Sequence, residues 1–163
     1  MNNDYSYDKN LISVLGYDKL VEKYKLDNVK LNESVFFAST ALASHLKKIT
    51  SPAVDNTAIL LGDYYSFEYY DKLKDDLEKL VLLTNAMERN YIYLALQNNK
   101  VEYLIEFILN IPTVLLEFYN IKLTQEDKES LVVNFYEEHK EQLKYIFSEE
   151  VELNKLLLEL KKC

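Results

Sequence analysis

The chain has 163 residues, 48% of them hydrophobic, with a formal charge of -8. That length fits one domain with a sizeable core. The acidic balance argues against nucleic acid and against anionic membrane surfaces, both of which are held by Lys and Arg. Two glycines and two prolines leave little turn chemistry, so the expected fold is all-α: a single-domain bundle of six or seven helices spanning 1–163. One cysteine, Cys163, excludes a disulfide framework, and no stretch approaches the ~20 apolar residues of a membrane span. The N-terminus lacks the order of a secretory signal, so the expected location is cytoplasmic.

In chain order, a first helix is predicted from Tyr7 to Lys25, with Gly16 able to bend it. Asn32 is read as the N-cap of a second helix, NESVFFASTALASHLKKI, and TSPAVDN as the connection after it. A third helix covers Thr57 to Lys74. The fourth carries an apolar repeat at Leu77, Leu80, Val81, Leu83, Met87, Tyr91 and Leu94, and breaks at Asn98-Asn99. The fifth meets Pro112, where a kink or split is expected because proline removes a backbone bond. Thr124 caps a sixth helix, with Asp127 three residues on as a capping-box variant, and Leu131, Phe135, Leu143 and Ile146 as its stripe. Ser148-Glu149-Glu150 restarts a last helix through Val151, Leu153, Leu156, Leu157 and Leu160.

Catalytic signals are poor. His45 and His139 lack metal-ligand spacing and read as surface or packing residues; EEHKE, 137–141, reads as a solvated face. Asp75-Asp76 begins an acidic cluster of the kind that binds Mg2+ and diphosphate, but Lys79 stands where a further carboxylate belongs, and acids are ordinary in a first turn. The single arginine, Arg89, speaks against an independent diphosphate site, since guanidinium forks match phosphate oxygens.

The unusual segment is TAILLGDYYSFEYYDKL, Thr57 to Leu73. A helical glycine costs about 1 kcal/mol relative to alanine, and close approach of another helix at Gly62 would explain it. Asp63, if buried, needs a partner. Tyr64, Tyr65, Phe67, Tyr69 and Tyr70 cannot all face one core, since consecutive positions lie about 100° apart. Some must point outward, as at a partner surface. On this reading Tyr65→Asp disrupts partner binding more than the fold.

This segment resembles the small subunit, component 1, of bacterial heterodimeric hexaprenyl and heptaprenyl diphosphate synthases. The likeness rests on Leu61-Gly62-Asp63-Tyr64-Tyr65-Ser66, Tyr69-Tyr70 and Leu73, followed by LEKLVLLTNAMERNYIYL, and covers about a quarter of the chain, Asp55 to Leu96. The family's catalytic subunits carry two Asp-rich magnesium motifs, and this chain has neither. The resemblance implies a regulatory subunit that holds no cofactor. It would pair with a large catalytic subunit that binds Mg2+, an allylic diphosphate and isopentenyl diphosphate, to make a long all-trans polyprenyl chain for menaquinone. Gly62, Asp63, Tyr64, Tyr65, Ser66, Tyr69 and Tyr70 would form the partner and chain-length surface, with the prenyl product near it. Two other readings compete: a divergent synthase using Asp63, Asp75 and Asp76, and a helical adaptor or self-associating protein without enzymatic role.

Overall fold

The computed structural model describes residues 6–50, 57–96, 101–146 and 152–162. These form eight helices and no strand: α1 (Lys9–Leu15), α2 (Tyr17–Tyr24), α3 (Val29–Thr50), α4 (Thr57–Leu73), α5 (Leu77–Leu96), α6 (Val101–Glu117), α7 (Gln125–Ile146) and α8 (Leu153–Lys162). The all-α expectation holds, with one helix more than the upper count. The connection at 51–56, the break at Asn98-Asn99, the restart at Ser148-Glu149-Glu150 and Val151 lie outside the described residues.

The extra helix comes from Gly16, which ends α1 and opens α2 with φ 91, in the left-handed region. Its N–H donates to Ser13 O at 3.1 Å, and a Cβ there would meet Asn134 Nδ2 at 2.6 Å. Glycine is required on both counts, so the chain turns rather than bends. Asn32 is not a cap. α3 begins one turn earlier, where Asn28 Oδ1 accepts from Leu31 N–H at 3.1 Å. Asn32 is buried instead. Its Nδ2 donates to Leu26 O at 2.9 Å, and its Oδ1 accepts from the Tyr119 hydroxyl at 2.6 Å.

α3 is the central element. α4 runs antiparallel to it, as the pairs Glu33–Lys72, Phe37–Tyr65 and His45–Gly62 show. α5 and α6 form a second antiparallel pair, with Tyr93 stacked on Tyr103 at 5.2 Å and its hydroxyl donating to Glu106. α1 and α7 pack on the far side of α3, and α8 closes against α6 and α7. One apolar core joins all eight helices, with Val35, Leu83, Leu115, Leu116, Val132 and Leu156 at its dry centre. α6 passes through Pro112 as one helix and is not split. Near that proline Asn90, fully buried, donates from Nδ2 to Phe107 O at 3.3 Å, while its Oδ1 accepts from Asn110 Nδ2 at 2.7 Å.

The capping box forms in both directions. Asp127 N–H donates to Thr124 Oγ1, and Thr124 N–H to Asp127 Oδ2, each at 3.1 Å. Lys23 Nζ reaches Asp127 Oδ1 at 2.7 Å and the Tyr24 hydroxyl donates to Oδ2, tying α2 to the start of α7. Burial pushes this carboxyl's pKa up, but the bonds from Lys23, Tyr24 and Thr124 outweigh it and hold the group at about 2. A folded pKa below the unfolded value means stability that is complete above pH ~4 and is lost as pH falls toward 2. Asp127→Asn is therefore expected to cost about 2 kcal/mol at neutral pH and to flatten the acid limb of the stability curve, measured by urea unfolding from pH 7 to 2. An acid limb as steep as that of the unsubstituted chain would show that the carboxylate contributes nothing.

Candidate interaction face

Gly62 lies where α3, α4 and α5 come together. It is buried, and a Cβ there would meet His45 Nε2 of α3 at 2.5 Å, so the close approach expected of this glycine is made. The His45 ring in turn meets the edge of Tyr91 of α5, centroids 5.3 Å apart. One turn on, Ser66 Oγ donates to Gly62 O at 2.9 Å and lies beside Tyr91, whose buried hydroxyl makes no well-formed hydrogen bond and whose pKa burial raises. Asp63 is not buried. It stands in solvent with Oδ1 3.8 Å from His45 Nε2, so the partner that a buried carboxylate would need is not required.

The aromatic run divides as helical geometry demands. Tyr69 is 4% exposed, and burial raises its pKa. Tyr65 is half-buried against Phe37 of α3, centroids 6.2 Å apart, and Tyr64 meets its edge. Phe37 also lies under Lys72 Nζ, which pairs with Glu33 at 3.2 Å, so the inner side of α4 is fastened to α3 along its length. Outward point Phe67, 65% exposed, and Tyr70, 43% exposed and stacked on Tyr69 at 4.9 Å. Ile59 and Leu60 are exposed earlier on the same helix.

α5 extends this surface. The sequence places Leu77 and Val81 on its apolar stripe, yet they are 69% and 55% exposed. The inward side is Leu83, Ala86, Met87, Asn90 and Leu94, which leaves Leu77, Val81 and Ile92 outside. Between the two helices runs an open groove of about 510 Å³, floored by Tyr69, Thr84, Met87 and Tyr91 and edged by Tyr70, Glu88 and Ile92. Phe67, outside the residues first assigned to the site and outside the groove's lining, is the most exposed aromatic of α4. Its signal lay in the aromatic run itself, one residue past Ser66.

The face offers apolar area and neutral phenols, and no nucleophile–base pair stands on it. Asp76 faces its own helix, with Oδ1 accepting from Lys79 N–H at 3.3 Å and Oδ2 3.0 Å from Lys79 Nζ, which is the capping use of a first-turn acid. Among the described residues no three His, Cys, Asp or Glu side chains converge as metal ligands, and no helix is long and apolar enough to cross a membrane.

The Gly62–His45 contact can be tested by a mutant cycle. Gly62→Ala gains about 1 kcal/mol of helix propensity but forces the His45 ring off Tyr91. We expect Gly62→Ala to destabilise the native chain and to stabilise the His45→Ala variant by about 1 kcal/mol in urea melts. The same sign in both backgrounds would show that the contact does not constrain this position.

No family model, curated protein or solved structure matches the chain.

Proposed function

We propose that the chain is the non-catalytic, regulatory subunit of a cytoplasmic heterodimeric hexaprenyl or heptaprenyl diphosphate synthase serving menaquinone side-chain synthesis. The reading starts from the resemblance of the Gly62 to Tyr70 segment to component 1 of such enzymes. The observation that carries it further is the surplus of apolar side chains on the outer face of the helix holding that segment, Phe67 and Tyr70 above all, alongside Ile92 of α5. Aromatic side chains at the centre of an exposed patch are the usual anchors of protein interfaces.

In this reading the large subunit holds Mg2+, the allylic diphosphate and isopentenyl diphosphate, and makes the carbon–carbon bonds. The chain described here supplies an apolar flank. A growing polyprenyl tail moves away from its diphosphate and gains about 0.8 kcal/mol for each CH2 it buries. Bulky side chains at the end of its path stop growth by overlap, and a second subunit's helices can form or brace that end.

The test is reconstitution. The purified chain is mixed with a long-chain prenyl synthase large subunit from the same organism, with Mg2+, farnesyl diphosphate and isopentenyl diphosphate. The expected result is a stable complex that makes a long polyprenyl diphosphate which neither chain makes alone. Failure both to associate and to alter the partner's products would sink the proposal. A second reading, a self-associating adaptor, uses the same face. Sedimentation of the isolated chain as a monomer would count against that second reading.

A further inference from the structure

A second feature lies on the opposite side of α3, inside the bundle. A partly open cleft runs between α3, α6 and α7 beneath the α1–α2 junction, walled by Leu42, Leu46, Phe107, Ile111 and Phe135. It leaves about 40 Å³ accessible to water-sized molecules, against the ~10–15 Å³ that one water requires. A few heavy atoms fit, and a polyprenyl chain does not, so the cleft is separate from the partner face.

Three polar side chains line this apolar space, and each is more than nine-tenths buried: Tyr17, Ser39 and His139. Ser39 is the informative one. Ser34, Thr40 and Ser44 on the same helix donate their hydroxyls to carbonyls one turn back, at 2.6, 2.9 and 3.0 Å. Ser39 does not, and its buried Oγ has no well-formed hydrogen bond, although the Tyr17 hydroxyl lies near enough to feel it. A buried hydroxyl left so is costly unless something else satisfies it.

His139 complements it. Its Nδ1 lies 2.6 Å from Gln142 Oε1, an acceptor, so Nδ1 carries the proton and Nε2 keeps a lone pair. Burial holds the imidazole below its ordinary pKa, and pushes the Tyr17 phenol up to about 12, so both are neutral at physiological pH. No charged side chain lines the cleft, which excludes an ionised ligand on desolvation grounds.

We propose that this cleft is a binding site for a small uncharged aliphatic alcohol of a few heavy atoms, whose hydroxyl bonds with Ser39 and His139 while its carbons fill the apolar space between α3, α6 and α7. The inference does not depend on the partner reading. A ligand with an apolar body and one hydroxyl matches the wall chemistry, since such pockets are mostly apolar with a few placed polar groups.

The test is a 19F NMR titration of the full chain with 2-fluoroethanol, with 1-fluoropropane and fluoroacetate as controls and Ser39→Ala as the variant. Expected are saturable one-to-one binding of 2-fluoroethanol, about tenfold weaker binding of 1-fluoropropane, no detectable binding of fluoroacetate, and about tenfold weaker binding of 2-fluoroethanol to Ser39→Ala. Thermal melts establish that the variant is folded. No saturable binding of 2-fluoroethanol, equal affinity for 1-fluoropropane, or an unchanged affinity in Ser39→Ala would each overturn the proposal.

Discussion

Replacing Phe67 by aspartate is expected to weaken capture of the catalytic subunit at least about thirtyfold, the effect of removing an interface anchor worth 2 kcal/mol or more. The chain's own melting temperature should stay within about 2 °C, because Phe67 is 65% exposed and surface substitutions cost little. Few positions in the aromatic run separate binding from folding so well. Tyr65→Asp, the substitution the sequence recommends, does not, because Tyr65 rests on Phe37 of α3 and a charge there would loosen α4 from its neighbour. Tyr69 is buried outright. Tyr70→Ser is the companion change, with a smaller effect on binding because the ring is partly covered by Tyr69. Surface-immobilised catalytic subunit and a thermal scan give both readouts. Loss of binding and folding together would place Phe67 in the core of the fold, and unchanged binding would remove it from the interface.

The second large effect is on stability. Asn90→Ala is expected to cost about 3 kcal/mol in urea unfolding, well above the usual loss for a single polar contact. Asn90 is fully buried and joins α5 to α6 through Phe107 O and Asn110. Its loss leaves Asn110 Nδ2 without that acceptor, removes the bond that Asn90 Nδ2 gives to Phe107 O, and opens a void between α5 and α6. Asn110→Ala alone should cost less, since that side chain is only partly buried. The double variant should lose less than the sum, because the two share one bond. An Asn90→Ala cost below about 1 kcal/mol would mean that the amide is not a fastening between the helices.

How much of this could be read beforehand depends on the kind of signal. Helix existence was legible, because scarce glycine and proline with 3.6-residue periodicity leave few alternatives. The Thr124–Asp127 box was legible because it is local: two side chains three residues apart answer each other's N–H. Gly62 was legible as a contact point, although nothing local names His45 as what it accommodates. Two buried polar residues were harder to place, for the same reason. His139 sits within EEHKE, whose other members are solvated, and Asn90 within a stretch ending in charges; both lie inside. The spacing Leu131, Phe135, His139, Leu143 puts the histidine on the buried stripe, and Met87, Asn90, Leu94 does the same for the asparagine. Residue type suggested the outside, position the inside, and position prevailed because each side chain found an amide or carbonyl partner.

The reverse error was made at Leu77 and Val81. Apolar type put them on the inner stripe, but α4 and α6 cover α5 on a different side. Which arc of a helix is covered is a tertiary fact. The break at Gly16 was half legible: glycine marks the place, but only the proximity of Asn134 and the left-handed backbone decide between a bend and a new helix.

Oxidative side-chain footprinting of the chain with and without a catalytic prenyl synthase subunit tests the central claim most directly. Phe67, Tyr70, Leu60 and Ile92 are exposed on α4 and α5, while Val14, Val29 and Leu158 are exposed elsewhere and serve as internal references. The account predicts several-fold slower labelling of the first group in the complex and unchanged labelling of the second. Equal labelling of Phe67 and Tyr70 in both states, in a complex otherwise shown to form, would contradict it.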